Sequence, residues 1–213
     1  MDKLEYTTKP NYSLYLVTDR NNKKDEEFLK IVEESILGGV TIVQLREKDT
    51  PTGKFYDIAL KLKNLTSKYD IPLIINDRLD IALAIDADGV HVGQSDMPAN
   101  IARKMVGEDK ILGVSAATIS DALTAEKHGA DYIGSGAIFP TDTKEAECID
   151  MSYLKEIINK VNIPVVAIGG LNENNINSLK DTDIKGISVV SAIMNSMDPK
   201  KSATRLKKEY DHL

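Results

Sequence analysis

The sequence contains no tryptophan, and aromatic residues make up only 5% of it. So sparse a set argues against the stacking platforms that bind single-stranded nucleic acid. There is one cysteine, Cys148. A single thiol excludes an internal disulfide framework and any zinc site built on several thiolates. No apolar run approaches the roughly 18 residues that a transmembrane helix needs, so no membrane partner is expected. Residues 1–20 hold no apolar stretch long enough for a signal peptide, and the expected location is the cytoplasm. Lys and Arg number 27 against 33 Asp and Glu, a net charge of −6 that excludes a general nucleic-acid surface. Ser/Gly linkers, charge blocks and low-complexity segments are also missing.

What is present is alternation. The 213 residues are ordinary in composition, with 42% apolar and 28% charged. Short β-branched runs stand at Leu14–Thr18, Thr41–Arg46, Leu73–Asn76, Gly89–Val92, Ile111–Val114, Tyr132–Gly134, Val165–Ile168 and Gly186–Val190. Each has the length and apolar content of a buried parallel strand. Amphipathic stretches lie between them. In 25–37, Phe28, Ile31, Val32, Ser35 and Ile36 share one helical face; in 53–69, Ile58, Leu62 and Leu65 recur at helical spacing. Thr50-Pro51 reads as a cap followed by proline at the first helical position. Gly38-Gly39 and Gly129 follow helix ends. Ile71-Pro72 and Ile163-Pro164 place proline just ahead of strands. Residues 199–211, rich in Lys, read as a solvated terminal helix.

Eight strand–helix units of about 27 residues predict an α/β fold, a single (β/α)8 barrel over residues 1–213. An open doubly wound sheet would instead carry a glycine-rich phosphate turn after the first strand, and Val17-Thr18-Asp19-Arg20 is not one.

In such a barrel the C-terminal strand ends meet at one mouth, and the unusual polar residues fall there. The second strand ends in Gln44-Leu45-Arg46-Glu47-Lys48. A period of two puts Gln44, Arg46 and Lys48 on one side and Val43 and Leu45 on the other. A guanidinium fork with an ammonium suits a pyrophosphate. A strand-end ion-pair cluster with Glu47 and Asp49 is the competing use. Asp77 and Asp96 follow neighbouring strands, so their carboxylates can converge as Mg²⁺ ligands. Helix capping is the competing role, since Asp96 precedes Met97-Pro98. The sixth strand leads into Thr141, Asp142, Thr143 and Lys144, a phosphate-binding set or a plain turn. Gly169-Gly170 and Val190-Ser191 occupy the loops after strands seven and eight, the recurrent phosphate position of this fold. His91 reads as a hydrogen-bonded structural residue, His128 as a helix-end charge and His212 as part of the tail. No nucleophile–base pair is evident, so the chemistry is expected to be electrostatic.

The ordered set Gln44–Lys48, Asn76-Asp77-Arg78, Gly93-Gln94-Ser95-Asp96, Pro140–Lys144 and Ala167–Gly170 resembles the thiamine-phosphate synthase family over nearly the whole chain. The resemblance implies small-molecule substrates. These are a hydroxymethylpyrimidine diphosphate and a thiazole phosphate, plain or carboxylated, joined with release of pyrophosphate. It implies that Gln44, Leu45, Arg46, Glu47, Lys48, Asn76, Ser115 and Lys144 bind the pyrimidine diphosphate. Arg46, Lys48, Ser115 and Lys144 would carry the catalysis. Asp77 and Asp96 would hold Mg²⁺, and Thr141, Thr143, Gly170, Val190 and Ser191 the thiazole phosphate. A homodimer stays open as the assembly. Ala137 stands where the family usually has proline, and Glu145–Cys148 departs from the common continuation, so a looser loop is expected there. A related thiazole tautomerase would carry an imidazole near the end of strand five, where this chain has Ala116-Ala117. A non-catalytic phosphate-sensing barrel is the third reading.

Overall fold

The structure is a computed structural model that describes residues 10–141 and 147–213. Parallel strands close a barrel in chain order: β1 (Leu14–Val17), β2 (Ile42–Leu45), β3 (Leu73–Asn76), β4 (Gly89–Val92), β5 (Ile111–Ser115), β6 (Tyr132–Ser135), β7 (Val165–Ile168) and β8 (Gly186–Val189). The last strand returns to the first through the pairing of Tyr15 with Ser188. Outside run α1 (Asp25–Leu37), α2 (Thr52–Ser67), α3 (Leu79–Ala84), α4 (Ala99–Val106), α5 (Ile119–Lys127) and α6 (Met151–Lys160). A short 3-10 turn, Ile176–Leu179, takes the place of a helix between β7 and β8. After β8 come α7 (Ser191–Met194) and α8 (Pro199–Tyr210).

The strands read as unbroken apolar runs because both of their faces are buried. Leu14, Leu16, Val43, Leu45, Leu73 and Ile75 point outward and pack with helix residues such as Phe28, Val32, Phe55 and Leu62. Tyr12, Tyr15, Val17, Ile42, Ile74, Tyr132 and Val166 form a second, smaller core inside the barrel. Tyr132 fits there because its neighbour in register is Gly113, where a Cβ would fall 2.2 Å from the phenol ring.

Three expectations about helix ends are corrected. Pro51 is the residue ahead of α2 rather than its first member. Thr50 does not cap the helix, because its hydroxyl donates to Glu47 Oε2 at 2.9 Å. Residues 199–210 form the expected terminal helix, but it is not solvated all round: α8 buries Pro199, Ala203 and Leu206 and packs along α1 and β1. The lysines occupy its outer face, which is why the segment reads as polar.

Ion pairs pin the opposite end of the barrel. Asp131 Oδ2 accepts from Leu112 N at 2.7 Å and from Arg103 Nη2 at 2.6 Å. Arg103 also donates to the carbonyls of Gly107, Lys110 and Gly129. Asp88 Oδ2 accepts from Leu73 N at 2.8 Å and Lys63 Nζ at 2.7 Å.

Candidate active site

The alternation along β2 decides which of its polar groups face the barrel. Gln44 lies inside, 4% exposed, while Leu45 is fully buried on the helix side. Arg46 follows on the inner face, and its amide donates to Thr18 Oγ1 at 3.2 Å. Glu47 turns the other way. Its Oε2 accepts from Arg20 Nη2 at 3.0 Å, and Arg20 also pairs with Asp25 at 2.8 Å. Glu47 is therefore engaged at the start of α1 rather than with Arg46. Among the described residues neither Arg46 nor Lys48 forms an ion pair. Their charge is available to an anion.

Asp77 follows β3 in the left-handed region, at φ 61°, and its amide donates to the His91 carbonyl of β4 at 2.8 Å. Burial, followed by a hydrogen bond and like-charge repulsion from Asp96, raises the Asp77 pKa to about 6; Lys48 and Asn76 partly offset this. Asp96 Oδ2 accepts from Gly93 N at 2.7 Å. Neither aspartate caps a helix, because Arg78 and Pro98 hold those positions ahead of α3 and α4. The two carboxyl groups do converge. Among the described residues no third acidic, imidazole or thiol ligand joins them. Two hard oxygen donors crowded with like charge fit a hard divalent cation such as Mg²⁺, whose charge would relieve the repulsion.

A row of polar side chains crosses the barrel beneath the mouth. Gln44 Nε2 donates to the Tyr15 hydroxyl at 2.8 Å, and Tyr15 and Tyr132 share a hydrogen bond of 2.7 Å. The Tyr132 hydroxyl lies 2.9 Å from His91 Nδ1, and His91 Nε2 lies 2.9 Å from Ser115 Oγ. Both nitrogens of His91 are engaged, as a structural histidine requires. Tyr15 and Tyr132 lie within apolar strand runs and carry no local sequence signal of a site, beyond Tyr132 sitting in period with Gly134 and Gly136, an inward face otherwise without side chains.

The loops after β6, β7 and β8 form the other half of the mouth. Gly170 has φ +63°, and a Cβ there would fall 2.6 Å from the Pro140 carbonyl oxygen. The glycine is required for this close approach, and its carbonyl accepts from Asn175 Nδ2 at 2.8 Å. Ser191 opens α7 and is exposed, with Val190 before it half-buried. Thr141 is half-buried at the end of the β6 loop. Thr143 and Lys144 lie outside the described residues. The expected looseness around Ala137 is not found: Ala137 is buried, and Ile138 and Phe139 donate to Ile168 and Gly169 at 3.0 Å each.

A groove of about 560 Å³ lies away from these residues, between Asp181, Asp183, Asp211 and Tyr210. Its acidic wall repels phosphates, so it does not compete with the mouth.

Cations that form no ion pair among the described residues, a carboxylate pair and bare glycine loops at the C-terminal end of the strands define a (β/α)8-barrel enzyme for phosphorylated small molecules. The family model described as thiamine monophosphate synthase matches residues 14–193, and the chain belongs to that family. It is 61% identical over 200 residues to a thiamine-phosphate synthase of Methanobrevibacter smithii, covering 93% of this chain and 95% of that one. It is 60% identical over 195 residues to one of Clostridium tetani, covering 91% and 93%. The solved thiamine phosphate pyrophosphorylase of Pyrococcus furiosus superposes with a TM-score of 0.87 at 41% identity, covering 96% and 98%.

Proposed function

We propose that the protein joins a hydroxymethylpyrimidine diphosphate to a thiazole phosphate, forming thiamine phosphate and releasing pyrophosphate. Supporting observations are the family membership and, above all, the Asp77–Asp96 pair close to Lys48, which like Arg46 forms no ion pair among the described residues. Gln44, Asn76 and Ser115 hold the pyrimidine diphosphate together with these cations. Leu45 and Glu47, facing the helices, contribute only through backbone position. Thr141, Gly170, Val190 and Ser191 take the thiazole phosphate, with Thr143 and Lys144 assigned by family likeness alone. The protein works in the cytoplasm; no helix among the described residues is long and apolar enough to cross a membrane.

The reaction asks little of a base. The electron-rich aminopyrimidine loses pyrophosphate as its C–O bond breaks, leaving a benzylic-type cation. The thiazole nitrogen donates its lone pair and the C–N bond forms. Arg46 and Lys48 stabilise charge developing on the departing group, and the two halves of the mouth align the reactants. Asp77 and Asp96 would hold Mg²⁺, which would supply charge stabilisation for the pyrophosphate.

Incubation with both substrates and Mg²⁺ should yield thiamine phosphate by mass and equimolar pyrophosphate. No product above a boiled control would overturn the assignment.

A further inference from the structure

We propose that Tyr15, Tyr132 and His91 are positioning residues. They form a one-way hydrogen-bond chain that makes Gln44 an acceptor and Ser115 a donor toward the pyrimidine.

An amide nitrogen only donates, so Gln44 Nε2 uses the Tyr15 oxygen as acceptor. Tyr15 is 1% exposed and holds one hydrogen, because burial keeps its pKa far above that of an ordinary phenol. With Gln44 donating, that hydrogen goes to Tyr132. Tyr132, equally buried and equally protonated, then passes its own hydrogen to His91 Nδ1. A neutral imidazole that accepts at Nδ1 carries its hydrogen on Nε2, and Nε2 donates to Ser115 Oγ. The serine hydroxyl hydrogen is left to point into the mouth. At the other end, the Gln44 Oε1 is left as an acceptor.

The chain is all-or-none. For a neutral His91, the other arrangement that pairs every group of the chain reverses every bond at once and flips the Gln44 amide. A mixed arrangement leaves a hydroxyl hydrogen of a fully buried tyrosine without an acceptor, a cost that low-dielectric surroundings make large. Ser188, also inside the barrel, takes no part, since its hydroxyl has no partner among the described residues.

The consequence is specificity, and it rests on the proposed pyrimidine site. A 4-amino pyrimidine offers an N–H donor beside a ring-nitrogen acceptor. A 4-oxo pyrimidine offers the reverse pair. A fixed acceptor at Gln44 and a fixed donor at Ser115 favour the first and oppose the second.

The first test needs no substrate. Nitrogen-15 shifts of the histidine rings distinguish a protonated from a bare ring nitrogen. His91 is separated from His128 and His212 by His128→Gln and His212→Gln. Ligand-free protein should show His91 protonated at Nε2 and bare at Nδ1. The opposite tautomer, or an even mixture, overturns the chain even if the enzyme assignment stands. The second test compares kcat/KM for 4-amino and 4-oxo pyrimidine diphosphates. Tyr132→Phe and Tyr15→Phe keep the rings and remove one link each. Each should lower the amino-over-oxo preference about 5–10-fold, the size of one hydrogen bond. An equal fall for both substrates, with the preference kept, assigns the tyrosines to packing and overturns the proposal. The ring-nitrogen measurement decides the matter even if a variant fails to fold.

Discussion

Asp77, just after β3, and Asp96, in the loop after β4, crowd their carboxyl groups together, and burial together with this crowding raises the cost of ionising Asp77. The Asp77 pKa lies above its unfolded value, so its contribution to stability is full below about pH 4 and is lost as pH rises through about 6. Asp77→Asn should therefore melt higher than the parent at pH 7.5, by about 1 kcal/mol after solvent screening of a half-buried group. The gap should close toward pH 4. Mg²⁺ should stabilise the parent more at pH 7.5 than at pH 5, and the variant at neither. Thermal melts over this range check both; a pH-independent gap would mean that the two carboxylates do not crowd each other. Turnover of the variant should fall strongly, because an amide is a poor ligand for a hard cation.

Arg46→Lys keeps the charge and loses the planar fork. Specificity for the pyrimidine diphosphate should drop by about 2–3 kcal/mol, the size of one lost electrostatic stabiliser. Steady-state kinetics at saturating thiazole phosphate measure it. An unchanged kcat/KM would remove Arg46 from the diphosphate site.

The strands were legible because both of their faces are buried, so eight apolar runs stood out, three of them with unchanged limits. The convergence of Asp77 and Asp96 was legible too, since neighbouring parallel strands end side by side. Glu47 was harder. A period of two puts it outward, but its partner Arg20 comes from a loop 27 residues earlier, a pairing that no local pattern encodes. Tyr15 and Tyr132 were hidden for a different reason. A tyrosine in an apolar run looks like core, and its ring is core; only the closed barrel brings the two hydroxyls, 117 residues apart, to 2.7 Å. The seventh helix failed because residues 171–185 are polar and short, and the chain there makes only a 3-10 turn.

Arg20 and Glu47 should matter to stability and to the shape of the β2 loop without touching substrate. The Glu47 side chain is 4% exposed and its Oε1 already lacks a partner among the described residues. Arg20→Ala would leave a buried carboxylate uncompensated and should cost about 3 kcal/mol in chemical denaturation. Glu47→Gln, which removes the charge but keeps the shape, should cost less than half as much. Equal costs would show that packing of the Arg20 stem, rather than charge, holds the loop.

The last prediction tests the division of the mouth into a diphosphate half at β2–β4 and a thiazole half at β7–β8. Gly170→Val is a poor probe, because a Cβ at Gly170 meets Pro140 and Phe139 at 2.6–2.8 Å and would displace the β6 loop. Ser191 is exposed and accepts a change without such a clash. Ser191→Asp adds a like charge where the first amides of α7 face the mouth, which opposes a phosphate dianion. The half-saturating thiazole phosphate concentration should rise at least about tenfold, the effect of roughly 1.4 kcal/mol of repulsion. Pyrimidine diphosphate binding, measured by calorimetry without the second substrate, should stay within about twofold of the parent, since charges on opposite sides of the mouth are screened by solvent and salt. Lys48→Ala should show the reverse pattern, with diphosphate binding weakened and thiazole phosphate saturation little changed. If Ser191→Asp abolishes diphosphate binding and spares the thiazole phosphate, the two halves are exchanged.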